Sequence, residues 1–343
     1  MSQERRIPSL DGWRAFSVLL VIFSHQIKNN FEYSSSHFLR TLCVFNLGRY
    51  GVYIFFVISG FIITTLFINE RKVSNTISLS KFYIRRFFRI MPAYYTYLII
   101  IFIISMIKGV HDITWQSWFK SFFFVSNYTF WGIVPWVINH SWSLSVEEQY
   151  YLIWPLIYKY KIKYFPYIVV IVLPILRFFY YKNLYEMNVI SFLFNADCIF
   201  WGAIFAINMN KQNFNTKIKL LKYIVLLLPI MFIVEKFGFS SIIPLIQCII
   251  PTVFSLTVIY LIYTSFNEKT VLFKVLNTKI AVFIGSISYS LYLWQQLFYD
   301  NLSILGKTFY TLFPLNILFM FLCAYLSYTL IEKRFLKLRN KVL

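Results

Sequence analysis

Residues Leu10 to Gln26 read Leu-Asp-Gly-Trp-Arg-Ala-Phe-Ser-Val-Leu-Leu-Val-Ile-Phe-Ser-His-Gln, a membrane-helix pattern interrupted by Arg14 and His25. The two residues are eleven positions apart. At about 100° per residue that spacing is close to three turns, so both side chains share one helical face, separated by about 16 Å along the axis. An ionisable group inside a span is costly and is presumed functional until a partner explains it. Here two such groups sit near opposite ends of one helix, as the two ends of a reaction channel would.

The rest of the chain agrees with a membrane setting. Of its 343 residues, 59% are hydrophobic and 13% charged, with a mean hydropathy of +0.64. About a quarter of residues are charged in soluble domains, so that class is excluded. The formal charge of +20 does not signal nucleic-acid binding, because the basic residues lie in short clusters between apolar runs, as leaflet anchors do. Cys43, Cys198, Cys248 and Cys323 stand singly in or beside apolar segments. They suggest neither a metal site nor a disulfide framework, and read as small apolar fillers. Arg14 breaks the early apolar run and no small-residue cleavage site follows it, so the first span is expected to stay as a signal anchor.

Apolar runs long enough to cross about 30 Å of hydrocarbon recur at Leu10–Lys28, Gly51–Asn69, Pro92–Ile107, Trp142–Tyr158, Tyr164–Tyr180, Ser191–Met209, Leu220–Val234, Ile242–Tyr263, Ile280–Phe298 and Tyr310–Ile331. The expectation is an all-α polytopic membrane protein with about ten transmembrane helices. Most of the 33 Lys and Arg, including Arg5, Arg6 and the cluster from Arg71 to Arg89, then fall on one side. The positive-inside rule makes that side, and both termini, cytoplasmic. Residues 1–334 form the membrane domain and 335–343 a short basic cytoplasmic tail. The longest external connection, Lys108 to His140, is rich in aromatic residues and has room for a short interfacial or re-entrant helix. Its Trp115, Trp118, Tyr128 and Trp131 suit either an interfacial belt or stacking on sugar rings.

Several polar motifs interrupt the apolar pattern. Lys81-Phe-Tyr-Ile-Arg-Arg-Phe-Phe-Arg-Ile-Met-Pro92 reads as an interfacial helix ended by Pro92, with Arg86 and Arg89 at i and i+3 on one face. Paired guanidinium forks grip phosphate oxygens well; from the cluster alone, a positive-inside anchor is the better-supported reading. His140-Ser-Trp-Ser-Leu-Ser-Val-Glu-Glu-Gln opens the fourth span. Ser145 and Glu148 have capping-box spacing, which accounts for Glu148 better than for Glu147. Glu147 projects about 100° away, towards the bundle interior. Asp197 and Gln295 are further polar groups within spans, where hydrogen bonding to a neighbouring helix is the commoner fate. Ser59-Gly60 permits a close helix crossing.

This constellation resembles the acyltransferase 3 family of integral membrane acyltransferases, in a stand-alone form without an appended extracytoplasmic domain. The matching stretches run in order along the chain: Leu10-Asp-Gly-Trp-Arg to Phe23-Ser-His, Gly51-Val-Tyr-Ile-Phe-Phe-Val-Ile-Ser-Gly-Phe, Arg85-Arg-Phe-Phe-Arg-Ile-Met-Pro, Trp142-Ser-Leu-Ser-Val-Glu-Glu-Gln, Ile284-Gly-Ser-Ile-Ser-Tyr-Ser-Leu-Tyr-Leu-Trp and Ile331-Glu-Lys-Arg-Phe. The resemblance implies that Arg14 and His25 are the essential pair of the first helix, that Arg86 and Arg89 are the paired cytoplasmic arginines, and that Glu147 is the acid of the Trp-Ser-Leu motif. Two positions depart from the pattern. Gln295 stands where the family commonly has His, and Gln does not titrate. Asn195 stands where a basic residue often precedes Ala-Asp, which leaves Asp197 without its usual partner.

Geometry and resemblance together point to transfer of an acyl group from cytosolic acyl-coenzyme A to an external hydroxyl. Arg14, Arg86 and Arg89 are the expected phosphate ligands. The pantetheine arm, on the order of 15 to 20 Å, matches the rise between Arg14 and His25. His25, with an ordinary pKa of about 6.5, is the expected general base, and Glu147 orients the imidazole or the acceptor. No metal and no permanently bound cofactor is expected; acetyl-CoA (acyl-CoA) is a co-substrate. The resemblance further implies acetyl as the usual group, a surface polysaccharide or lipid-linked glycan as acceptor, and a bacterial-type cytoplasmic membrane as location. An acceptor that is a small molecule or lipid is the nearer alternative. A secondary transporter or flippase also uses intramembrane His, Glu and Arg, but no inverted repeat is visible.

Overall fold

A computed structural model of the chain describes residues 7, 9–31, 47–109, 113–128, 131–183, 192–209, 211, 214–237, 243–299, 304–306 and 308–343. Cys43, Arg5 and Arg6 lie outside the described residues. Those described form helices and connecting turns, with no strand among them. In chain order the first helices are α1 (Leu10–Phe31), α2 (Leu47–Ser74), α3 (Leu79–Lys108), α4 (Trp115–Phe122), α5 (Trp136–Asn139), α6 (Ser141–Lys159), α7 (Phe165–Asn183) and α8 (Phe192–Asn208). Then follow three short pieces, α9 (Phe214–Leu220), α10 (Lys222–Val225) and α11 (Leu227–Phe237), before α12 (Ile243–Thr264), α13 (Val271–Leu276) and α14 (Lys279–Trp294). A 3-10 turn at Gln295–Phe298 extends α14, and α15 (Leu315–Ser327) runs through a π turn at Tyr328–Glu332 into α16 (Lys333–Val342).

Every apolar run read from the sequence is thus helical in whole or in part. Four helical stretches, Leu47–Ser74, Leu79–Lys108, Leu245–Thr264 and Leu315–Val342, are long and apolar enough to cross a membrane, which makes this a multi-pass membrane protein. α1 has 22 residues, about 33 Å at 1.5 Å each, but Arg14, His25, Gln26 and Lys28 keep it less apolar than those four. Outward-facing side chains support the same solvent. On α3, Ile99, Phe102, Ile103 and Met106 are exposed at i, i+3, i+4 and i+7, a stripe that aggregates in water and is satisfied by lipid.

Two local expectations fail. Pro92 does not end a helix: α3, 30 residues long, runs through it, joining the arginine segment to the third apolar run. Proline removes one backbone bond, but interrupting the chain in hydrocarbon would expose several polar groups, so the helix persists. Thr96 Oγ1 donates to Pro92 O at 2.7 Å. Nor is Ser145 a cap. α6 starts four residues earlier, and Ser145 Oγ bonds back to Ser141 O at 2.8 Å while accepting from Ser126 N at 3.2 Å. Glu147 therefore lies nearly two turns into α6, rather than one.

The chain divides into two compact units. The first comprises residues 1–14, 52–77 and 146–285. Its core packs α7, α8 and α12 together, and α2 crosses α8 at two glycines. A Cβ at Gly60 would stand 1.9 Å from Ile199 O, and one at Gly202 2.0 Å from Val57 O, so each position excludes every larger residue. The second unit comprises 15–51, 78–145 and 286–343. There α3 is capped by Ser78 at one end and left-handed Gly109 at the other, and α16 packs on it. The connection after α3 is fastened to it by Tyr94 Oη donating to Ser121 O at 2.8 Å and Tyr97 Oη donating to Val137 O at 2.5 Å. It holds α4 and α5, a fuller structure than the single short helix expected.

Candidate functional site

His25 projects from the part of α1 that belongs to the second unit. Its Nδ1 lies 2.7 Å from Gln295 Oε1, contributed by the 3-10 turn after α14, where Gln295 is buried. An amide oxygen only accepts, so this bond places the imidazole proton on Nδ1 and leaves the Nε2 lone pair free. The ring is packed edge-on by Trp136, with centroids 4.9 Å apart, and by Tyr299 at 5.8 Å. Tyr299 Oη in turn donates to Ile22 O, one turn before His25 on α1, at 3.1 Å. Nε2 faces Gly48, where an added Cβ would stand 3.7 Å away, in van der Waals contact with it.

This arrangement answers the departure at position 295. A titrating partner is not needed to hold one tautomer; a fixed acceptor at Nδ1 suffices. Sequence reading found His25 and noticed Gln295, but gave no sign that the two meet across 270 positions.

Arg86 and Arg89 lie on α3 as expected, but their heads are differently engaged. The Arg86 guanidinium lies over the Phe82 ring at 5.7 Å. Arg89 Nη1 is 3.6 Å from Glu332 Oε2, and Glu332, buried in the π turn, accepts from Ser290 Oγ. Glu332 belongs to the Ile-Glu-Lys-Arg-Phe stretch noted in the sequence, where no role was read for it. Its carboxyl group lies against the Arg89 head.

The remaining expected residues lie in the first unit. Arg14 Nη1 contacts Asp11 Oδ1 at 3.2 Å, both partly exposed. Glu147 accepts from Ser59 Oγ at 2.8 Å and from Tyr151 Oη at 3.4 Å, so both carboxylate oxygens are engaged, and Ser59 does more than permit a close crossing. Asp197 is not without a partner. Arg177 Nη2 meets Asp197 Oδ1 at 2.8 Å with both side chains buried, Thr252 Oγ1 donates to Asp197 Oδ2 at 3.3 Å, and Arg177 Nη1 donates to Cys248 O at 2.8 Å. The cation expected next to Asp197 in sequence comes instead from α7, and the group ties α7, α8 and α12 together.

A multi-pass helical membrane protein with a tautomer-locked histidine and a paired-arginine helix defines a class. The chain belongs to the acyltransferase domain family, whose sequence model matches residues 7–332. It is 34% identical over 162 residues to the peptidoglycan O-acetyltransferase OatA of Listeria monocytogenes, covering 43% of this chain and 24% of that protein. It is 28% identical over 370 residues to the O-acetyltransferase OatA of Staphylococcus aureus, covering 97% of this chain and 57% of the relative. The chain therefore spans little more than half the length of the Staphylococcus relative. No solved structure matches it.

Proposed function

We propose that this protein is a membrane O-acetyltransferase that moves an acetyl group from acetyl-coenzyme A to a hydroxyl of a cell-envelope glycan. The observation that supports it most is the His25–Gln295 bond, which leaves the Nε2 lone pair available to act as a base. The acceptor oxygen attacks the thioester carbonyl, its proton passes to His25 Nε2, the new C–O bond replaces the C–S bond, and the proton is returned to the departing thiolate. Arg86 and Arg89 supply positive charge for the coenzyme's phosphates, and phosphate competes with Glu332 for Arg89; Arg14 is proposed from the sequence alone as a further phosphate ligand. Glu147, which accepts from Ser59 and Tyr151, is proposed from the family resemblance as the acid of the Trp-Ser-Leu motif. Acetyl as the group follows both relatives, which are O-acetyltransferases, and peptidoglycan as the acceptor class follows the Listeria relative.

The ten apolar runs are read as ten crossings of a bacterial-type cytoplasmic membrane, both termini inside, with residues 1–334 as the catalytic membrane domain and 335–343 as a basic tail. Purified protein with acetyl-coenzyme A and soluble peptidoglycan fragments should release free coenzyme A and acetylated sugar, and His25→Ala should release neither. A preparation that binds glycan yet consumes no thioester would overturn the reading.

A further inference from the structure

The 3-10 turn that carries Gln295 holds a second histidine with its next residue. His140 Nδ1 lies 2.6 Å from Gln296 Oε1, and the same oxygen accepts from His140 backbone N at 3.0 Å. An oxygen already accepting from one N–H and placed against Nδ1 leaves one workable tautomer, with the proton on Nδ1 and a bare Nε2. His25 is held in the same state by Gln295, so adjacent glutamines present two imidazoles with matching chemistry. Trp136 links them: its ring packs against His25, and its Nε1 donates to Gln296 O at 3.2 Å.

His140 is buried, and its Nε2 has no hydrogen-bond partner. Buried polar atoms in folded proteins are nearly always paired, because an unpaired one keeps the whole cost of leaving water. Nearby hydroxyls are committed elsewhere. Tyr97 packs edge-on at 5.1 Å but gives its hydroxyl to Val137 O; Tyr292 packs at 5.7 Å and bonds Ser143 Oγ at 2.6 Å. A bare imidazole nitrogen walled by aromatic rings suits a neutral donor, a hydroxyl or amide N–H of a sugar, and does not suit a phosphate.

We propose that His140 Nε2 is a specificity-determining acceptor for the glycan, receiving one of its O–H or N–H groups while His25 Nε2 takes the proton of the attacking hydroxyl. This rests on the acyltransferase reading, and the test separates the two. Asn carries a polar atom near the position of Nδ1, and Gln near that of Nε2. Full-length protein in detergent is titrated with a soluble β-1,4-linked N-acetylglucosamine oligosaccharide, with and without acetyl-coenzyme A. His140→Asn, which can keep the Gln296 contact, should weaken glycan binding and raise its KM about tenfold, with a smaller fall in kcat, whereas His140→Gln should stay within about threefold. Rescue by Asn and not by Gln would show a purely structural role through Gln296 and overturn the inference, as would a wild-type protein that does not bind the oligosaccharide. Wild-type protein that binds it but transfers nothing defeats the acyltransferase reading alone, and the Asn–Gln comparison is then read from Kd.

Discussion

Two polar pairs inside apolar helices, Arg177–Asp197 in the first unit and His25–Gln295 in the second, arise from the same kind of sequence signal and do different things. Both terminal nitrogens of Arg177 and both oxygens of Asp197 are spent on neighbouring helices. His25 spends one nitrogen on Gln295 and leaves the other facing Gly48. An ionisable residue in a span is thus separated into fastener and reactive group by how much of its bonding capacity the fold consumes. Glu147 has both oxygens engaged, one by the Ser59 hydroxyl and one by that of Tyr151.

The sharpest break of the comparison is His25→Ala, which should lower acetyl transfer by about 10²–10⁴-fold in a protein that elutes and melts like wild type. Asp197→Ala should do the reverse. It strands a buried guanidinium, costs about 3–5 kcal/mol of stability by thermal unfolding in detergent, and leaves the activity of the surviving folded fraction near normal, while replacing both partners with Leu and Met restores most of that loss. If Asp197→Ala instead abolished turnover in well-folded protein, the pair would belong to the site.

Smaller effects test the lock on the imidazole. Gln295→Leu should reduce kcat by about 10–100-fold, because the ring loses the acceptor that holds its tautomer and orientation, with little change in the KM for acetyl-coenzyme A. Gly48→Leu should fall in a similar or lower range by placing a bulky side chain against Nε2, and a variant with full activity would mean that the acceptor approaches from elsewhere. The smallest change is expected at the arginines: Arg89→Ala should raise the acetyl-coenzyme A KM about tenfold, steeply dependent on salt, with kcat less affected.

The membrane class, the apolar runs and the candidacy of Arg14, His25, Arg86, Arg89 and Glu147 were legible because composition and helical spacing are local properties. Where local rules met tertiary demands they failed. Proline chemistry at Pro92 argued for a stop, yet α3 runs on because unpaired backbone in hydrocarbon costs more than one lost bond. Ser145 had the spacing of a cap, yet it lies inside α6, bonded to Ser141 and to Ser126 of the preceding connection.

By itself the sequence determined the solvent this protein folds in, the helical character of its apolar runs and which of its polar residues are too costly to be incidental, since each follows from transfer energies and a period of 3.6. Only the tertiary structure decided which polar residues are satisfied: that Asp197 has Arg177, that Arg89 has Glu332, and that Gln295 meets His25. Those pairings join positions up to 270 residues apart, and hydrogen bonding depends on ångström-scale placement that spacing along one chain does not encode.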